Sequence, residues 1–271
     1  MDPRTYLFVP GDRPERFAKA FATGADAVVL DLEDAVAIAG KGIARDAIAR
    51  WSGQTAAAER ARTVVRINAA ESDAFADDLR LLRDAGRIGV MLAKAESAAQ
   101  VRAVTAAVPD ARVLALIESA RGVASLSEVA GAGGVIRLVF GTLDYALDLD
   151  LDIAESPEGL AHAAGALALA SRLAGLPAPV AGVTPQLDDP ARLLADLALA
   201  RSQGFGAKLC IHPGQVDPIH AALRPSVQAL AWARRVLAAD AASPGAARLD
   251  GRMVDRPVVL QAQRTLALAR D

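Results

Sequence analysis

Short apolar runs recur along the chain at residues 6–9, 27–30, 64–67, 90–93, 113–117, 138–140, 180–183 and 207–211. Each is too short for an ordinary helix and rich in Val, Ile or Leu, which reads as a buried strand. Between them lie Ala-, Leu-, Arg- and Glu-rich stretches with helical spacing, for example over residues 14–21, 72–83, 97–107 and 190–203. Strand alternating with helix eight times predicts an α/β fold, a closed parallel (β/α)8 or TIM barrel. A doubly wound open sheet uses the same alternation, but the turn after the first run, PGDRPER from Pro10, lacks the glycine spacing of a dinucleotide fingerprint. The barrel is expected over residues 1–215. A C-terminal helical extension is expected over 216–271, with helical patterns at 226–239 and 257–269 joined by a Gly-, Ser- and Ala-rich segment at 241–247. It is short for an independent core, and is expected to fold on the barrel mouth or reach to a neighbouring subunit.

Composition sharpens this only in places. Of 271 residues, 53% are hydrophobic but 4% aromatic, which suits aliphatic strands covered on both faces. Lys and Arg number 30 against 32 Asp and Glu, without a basic stripe, so nucleic acid is not an expected partner. The single cysteine, Cys210, lies in an apolar run, which excludes an intrachain disulfide and favours a small core residue in a reducing, cytoplasmic setting. Neither a signal peptide nor a membrane-spanning segment is evident in the pattern, so secretion and membrane insertion are not expected.

In a barrel the site lies at the C-terminal strand ends. That filter selects Asp31, Glu33 and Asp34, then Arg66 and Asn68, Lys94 and Glu96, Glu118, Asp144 and Asp148, Thr184, and His212. Glu118 and Asp144 follow consecutive strands, and two carboxylates there are spaced to grip one hard cation, making Mg²⁺ the first candidate; a structural salt bridge of Glu118 with Arg121 or Lys94 stands beside it. The absence of a His/Cys cluster or HExxH makes zinc the weaker choice. Arg66, among apolar neighbours, offers a fork for a substrate carboxylate, or an internal ion pair with Asp31 or Glu33. Glu33 and Asp34 also suit helix capping. His212 precedes Pro213 and Gly214 and reads as a turn residue, while His162 and His220 lie in helical surroundings.

Seven segments then carry a resemblance: LFVPGDRPERF from Leu7, GADAVVLDLEDAV from Gly24, VRIN from Val65, ALIESARGV from Ala115, FGTLDYA from Phe140, CIHPGQV from Cys210 and GRMVDRPV from Gly251. Together the chain resembles the citrate lyase β-subunit family, the CitE-like members of the HpcH/HpaI aldolase superfamily. The resemblance implies a homotrimeric barrel that uses Mg²⁺ to make or break a carbon–carbon bond between an acyl thioester and a keto acid. It implies Glu118 and Asp144 as metal and substrate ligands and Arg66 as the keto-acid clamp. It also implies Asp255 as an acid/base delivered by the C-terminal segment of an adjacent subunit. The implied activity is lyase action on a malyl-, citramalyl- or citryl-CoA type of thioester, with thioesterase activity as a second half-reaction. A β subunit of a citrate lyase complex acting on citryl-ACP, and a non-catalytic metabolite-binding barrel, are the alternatives. The chain departs from the family's usual pattern with Ala93 before Lys94, where Pro is frequent, and Asp150 after Leu149, where Gly is frequent.

Overall fold

The computed structural model describes residues 2–86, 88–154, 156–243 and 247–269. Eight parallel strands follow in chain order: β1 (Thr5–Pro10), β2 (Ala27–Asp31), β3 (Thr63–Ile67), β4 (Gly89–Leu92), β5 (Arg112–Ile117), β6 (Val135–Phe140), β7 (Val180–Ala181) and β8 (Ala207–Cys210). They close into a barrel, β8 pairing back on β1 with Leu7 opposite Cys210. This is the (β/α)8 barrel that the alternating pattern predicts. Closure removes both sheet edges, which leaves the strand ends as the only places where the sheet presents unpaired groups.

The connecting helices are α1 (Phe17–Ala22), α2 (Lys41–Gln54), α3 (Ala57–Ala61), α4 (Phe75–Ala85), α5 (Ala98–Ala107), α6 (Ala120–Ala124), α7 (Leu126–Ala130), α8 (Thr142–Asp148), α9 (Ala161–Leu173), α10 (Pro190–Ser202) and α11 (Val216–Leu223). Their starts follow capping chemistry. Ser97 and Gln100 form a reciprocal capping box on α5, and Asp189 accepts from Arg192 N ahead of Pro190 on α10. The expected helix at 14–21 begins instead as a 3-10 turn, Pro14–Arg16, before α1.

Strand alternation fills the barrel. Tyr6, Ala27, Val29, Val64, Met91, Leu114, Leu116, Val139, Val180, Ala207 and Leu209 form one buried cluster inside it. Each inward row advances by two residues, so the step after Val29 is Asp31, after Val64 is Arg66, and after Leu116 is Glu118. The polar residues at the mouth are therefore continuations of the core rows. Cys210, fully buried with its thiol pushed up to about 12 by burial, is the small core residue its surroundings predict. No helix among the described residues is long and apolar enough to cross a membrane.

The chain divides into two compact units, Met1–Ile219 and His220–Asp271. The second has its own small core of Ala233, Val236, Ala247, Val254 and Ala262. It contains the two expected helices, α12 (Val227–Ala242) and α13 (Arg256–Ala267). Between them, where the sequence predicts only a small-residue linker, the structure places an antiparallel hairpin of β9 (Ala247–Leu249) and β10 (Arg252–Val254). Its turn is Asp250-Gly251, with φ of 49° and 77°. Both residues take positive φ, as a two-residue type I′ turn requires, and Asp-Gly is a preferred pair for it.

Candidate active site

Asp31 ends β2 and Arg66 lies opposite it on β3. The guanidinium donates from Nε to Asp31 Oδ1 at 2.7 Å and from Nη2 to Oδ2 at 2.6 Å, a bidentate pair. Nη1 pairs with Glu33 Oε2 at 2.8 Å, and the group sits 4.9 Å from the Phe8 ring centroid. Arg66 therefore forms the internal ion pair that its apolar neighbours allow, with both Asp31 and Glu33. Burial opposes its charge, but Asp31 and Glu33 more than offset that and raise its pKa, so the cation is permanent.

Glu33 is the hub of this network. Its other oxygen accepts from Lys94 Nζ at 3.1 Å. Burial opposes the Lys94 charge too, and Glu33 overcomes it, leaving the ammonium raised. The loop bearing Glu33 is held by Lys41, which donates to Leu32 O at 2.8 Å, Glu33 O at 3.1 Å and Asn68 Oδ1 at 2.7 Å. Asn68 in turn donates to Leu32 O and Asp78, so it supports the loop from beneath. Lys41 and Asp78 escape a reading of strand ends because both lie on helices.

Glu118 follows β5 and is only 3% exposed. Its Oε1 accepts from Lys94 N at 2.9 Å. Lys94 adopts φ of 47°, the left-handed region that non-glycine residues seldom occupy. Burial, followed by the negative charges of Glu33 and Asp144, pushes the Glu118 carboxyl up to about 8; the Lys94 N–H and Arg66 pull it down less strongly. Asp144 lies in the first turn of α8. The structure thus brings Asp31, Glu33, Arg66, Lys94, Glu118 and Asp144 into one electrostatically linked group.

Gly141 is where this packing is tightest: a methyl there would lie 2.5 Å from both Cβ and Oε2 of Glu118. Gly141→Ala is expected to lower stability by about 1–3 kcal/mol through overpacking, measured by chemical denaturation. An unchanged midpoint would mean that Glu118 has room to swing aside.

The remaining strand-end residues have structural partners. Ser119 Oγ donates to Glu96 Oε1 at 2.5 Å, and Arg121 pairs with Glu96 at 3.7 Å, so Arg121 is not the partner of Glu118. Asp148 accepts from Ala120 N at 2.7 Å. Thr184 donates to Asp196 at 2.7 Å, and His212 Nδ1 accepts from Gly214 N at 3.1 Å, capping a short turn as its Pro-Gly neighbours predict. Asp150, which stands where the family often has Gly, takes φ of 53°; aspartate is among the residues that tolerate this conformation. Asp255 belongs to the second unit, where its exposed carboxylate caps α13 by accepting from Val258 N at 3.2 Å.

A closed barrel with acidic and cationic groups linked at the ends of β2 to β6 defines a class of site, and comparison places the chain within a family. The sequence matches the HpcH/HpaI aldolase/citrate lyase family over residues 4–213, and the chain belongs to that family. Within it, a citrate lyase subunit beta-like protein of Mycobacterium tuberculosis is 40% identical over 97% of this chain and 94% of its own length. A (3S)-malyl-CoA thioesterase of Cereibacter sphaeroides is 32% identical over 98% of this chain and 94% of its own. Among solved structures, CitE of M. tuberculosis in complex with magnesium, acetoacetate and coenzyme A superimposes with a TM-score of 0.88 at 39% identity, covering 99% of this chain and 98% of that one.

Proposed function

We propose that this protein is a Mg²⁺-dependent carbon–carbon lyase that cleaves a β-hydroxyacyl-CoA thioester of the malyl, citramalyl or citryl type into an acyl-CoA and a keto acid. The observation that carries this reading is Glu118, a buried carboxylate raised to about 8 by burial and by the like charges of Glu33 and Asp144. Such a group is costly on its own and becomes favourable once a cation neutralises it. The residues present fit Mg²⁺: two carboxylates, Glu118 just after β5 and Asp144 in the first turn of α8 after β6, close enough for each charge to act on the other. Magnesium on the M. tuberculosis neighbour supports the same choice.

Glu118 and Asp144 would hold the ion, which supplies positive charge where an oxygen of the substrate becomes an alkoxide. Arg66, fixed by Asp31 through Nε and Nη2, would hold the keto-acid carboxylate by exchanging the Nη1 contact that Glu33 now makes at 2.8 Å. Cleavage removes the hydroxyl proton, turns the hydroxyl carbon into a carbonyl and passes the bonding pair to the carbon beside the thioester, which takes a proton in turn, so that one proton moves from oxygen to carbon overall. Asp255 of an adjacent subunit in a homotrimer is proposed for that proton transfer.

Arg66→Lys keeps the charge and loses the fork, both toward Asp31 and toward substrate. Keto-acid affinity is expected to fall about tenfold or more, from loss of about 1.5–3 kcal/mol of charge-assisted hydrogen bonding, while CoA affinity changes little. Titration calorimetry of the two ligands checks this, and equal losses would point to a folding defect.

The function is tested with purified protein, Mg²⁺ and a panel of hydroxyacyl-CoA esters, assaying keto acid and free thiol separately. Keto acid without thiol is expected for a lyase. Thiol release adds the thioesterase half-reaction, for which the malyl-CoA thioesterase relative gives a precedent. Activity confined to acyl-carrier thioesters would favour the citrate lyase subunit reading, which the Leuconostoc mesenteroides citrate lyase subunit beta, 32% identical, supports. No product from any ester would favour a non-catalytic barrel.

A further inference from the structure

A cavity of about 400 Å³ lies beside β6, β7, β8 and α10, within the first unit. Its volume is in the range that holds a small organic molecule. Its lining includes Phe140, Leu199, Phe205, Arg192, Asp196 and Lys208, and none of Asp31, Arg66, Lys94, Glu118 or Asp144 is among the described residues that line it. Thr142 and Leu143, in the same turn as Asp144, also line it, but Lys208 faces it from outside the barrel interior. Ala207 and Leu209 point into the barrel core, so strand alternation turns Lys208 outward, toward α10.

Lys208 is 2% exposed, and its ammonium donates to a neutral acceptor, Gly182 O, at 2.8 Å. The nearby carboxylate is already engaged: Asp196 accepts from Thr184 Oγ1 at 2.7 Å and from Arg192 Nε at 2.8 Å. A second lining carboxylate, Asp152, is exposed at the rim and accepts from Ala154 N. A buried cation without an anionic hydrogen-bond partner is costly, and an incoming anion would remove that cost.

We propose that this cavity is a second small-molecule site, for a carboxylic acid whose anionic head meets Lys208 and Arg192 and whose aliphatic tail lies against Phe140, Leu199 and Phe205. The electrostatics agree with the geometry. Burial lowers the Lys208 pKa to about 8, with Arg192 adding to the fall and Asp196 and Cys210 opposing it. Head-group binding therefore requires a proton on Lys208, and affinity weakens as pH rises through about 8.

The test is titration calorimetry of the full chain with hexanoate, and with hexanamide as the uncharged counterpart. Hexanoate is expected to bind saturably and at least about tenfold more tightly than hexanamide, since a charge-assisted hydrogen bond is lost in the amide. Lys208→Met is expected to weaken hexanoate by a similar factor. Leu199→Trp, at an exposed position of the wall, is expected to weaken both probes by filling the cavity. Circular dichroism and melting curves establish that each variant is folded; if Lys208→Met is not, Leu199→Trp and the amide comparison decide. No binding of hexanoate, equal binding of acid and amide, or wild-type affinity in a folded variant overturns the proposal.

Discussion

Glu118→Gln is expected to weaken Mg²⁺ binding by more than about 100-fold, since losing even an outer partner of a metal ligand costs about 10- to 100-fold, and to leave the barrel folded. Asp144→Asn is expected to act in the same direction. The folded state of the Gln variant follows from shape: the amide keeps an oxygen for the Lys94 N–H, which now meets Glu118 Oε1 at 2.9 Å. The sign of the stability change separates ligand loss from misfolding. In the wild type Glu118 is raised from an ordinary 4.5 to about 8. Between those values the native state holds a proton that the unfolded chain has released, so metal-free stability falls as pH rises through the window. Glu118→Gln removes that contribution, and its metal-free form is expected to be at least as stable as the wild type above pH 8. Mg²⁺ is expected to restore wild-type stability there and to leave the variant unchanged. Denaturation curves at pH 5 and pH 9, with and without Mg²⁺, read all four states. Equal Mg²⁺ stabilisation of both proteins would remove Glu118 as a ligand.

The strands were legible because aliphatic residues buried on both faces leave unbroken runs, and the candidate residues at the barrel mouth were legible because they end those runs. Glu118 and Arg66 are one inward step beyond Leu116 and Val64, so the same period that places the core places these polar groups at its mouth. Partner choice was less accessible. Arg66 engages Asp31, 35 positions away in sequence, and Glu33 links Arg66 to Lys94, 61 positions on. Spacing alone lists these carboxylates as candidates without saying which of them a guanidinium holds. Lys41 was invisible for a related reason: it binds two backbone carbonyls and Asn68 from the start of a helix, with no local pattern to mark it. The β9–β10 hairpin did have a signal, Asp250-Gly251, but its strands are three residues each, too short to show alternation between two strong helical patterns.

Asp255→Asn is expected to lower turnover by about 100-fold or more, the usual range for losing a general acid or base, without altering the fold. The choice of Asn rests on the structure. Asp255 caps α13 through Val258 N, with Pro257 in the first turn, and a cap of this kind is worth about 0.5–2 kcal/mol. Asn caps as well as Asp but cannot exchange a proton at neutral pH, so it separates the two roles that one carboxylate can play. Asp255→Ala, which loses both, is expected to show the same kinetic defect together with a lower melting temperature. Mg²⁺ and keto-acid binding, proposed for Glu118, Asp144 and Arg66, are expected to survive in each. If the carboxylate serves a neighbouring chain, co-expression of Asp255→Asn with Glu118→Gln is expected to recover part of the activity, because some interfaces pair an intact barrel with an intact tail. Neither variant alone should do so. Failure to complement in a verified mixed oligomer would place Asp255 in the service of its own chain. Wild-type turnover by Asp255→Asn, with only Asp255→Ala impaired, would reduce the residue to a helix cap and leave the proton transfer to another group.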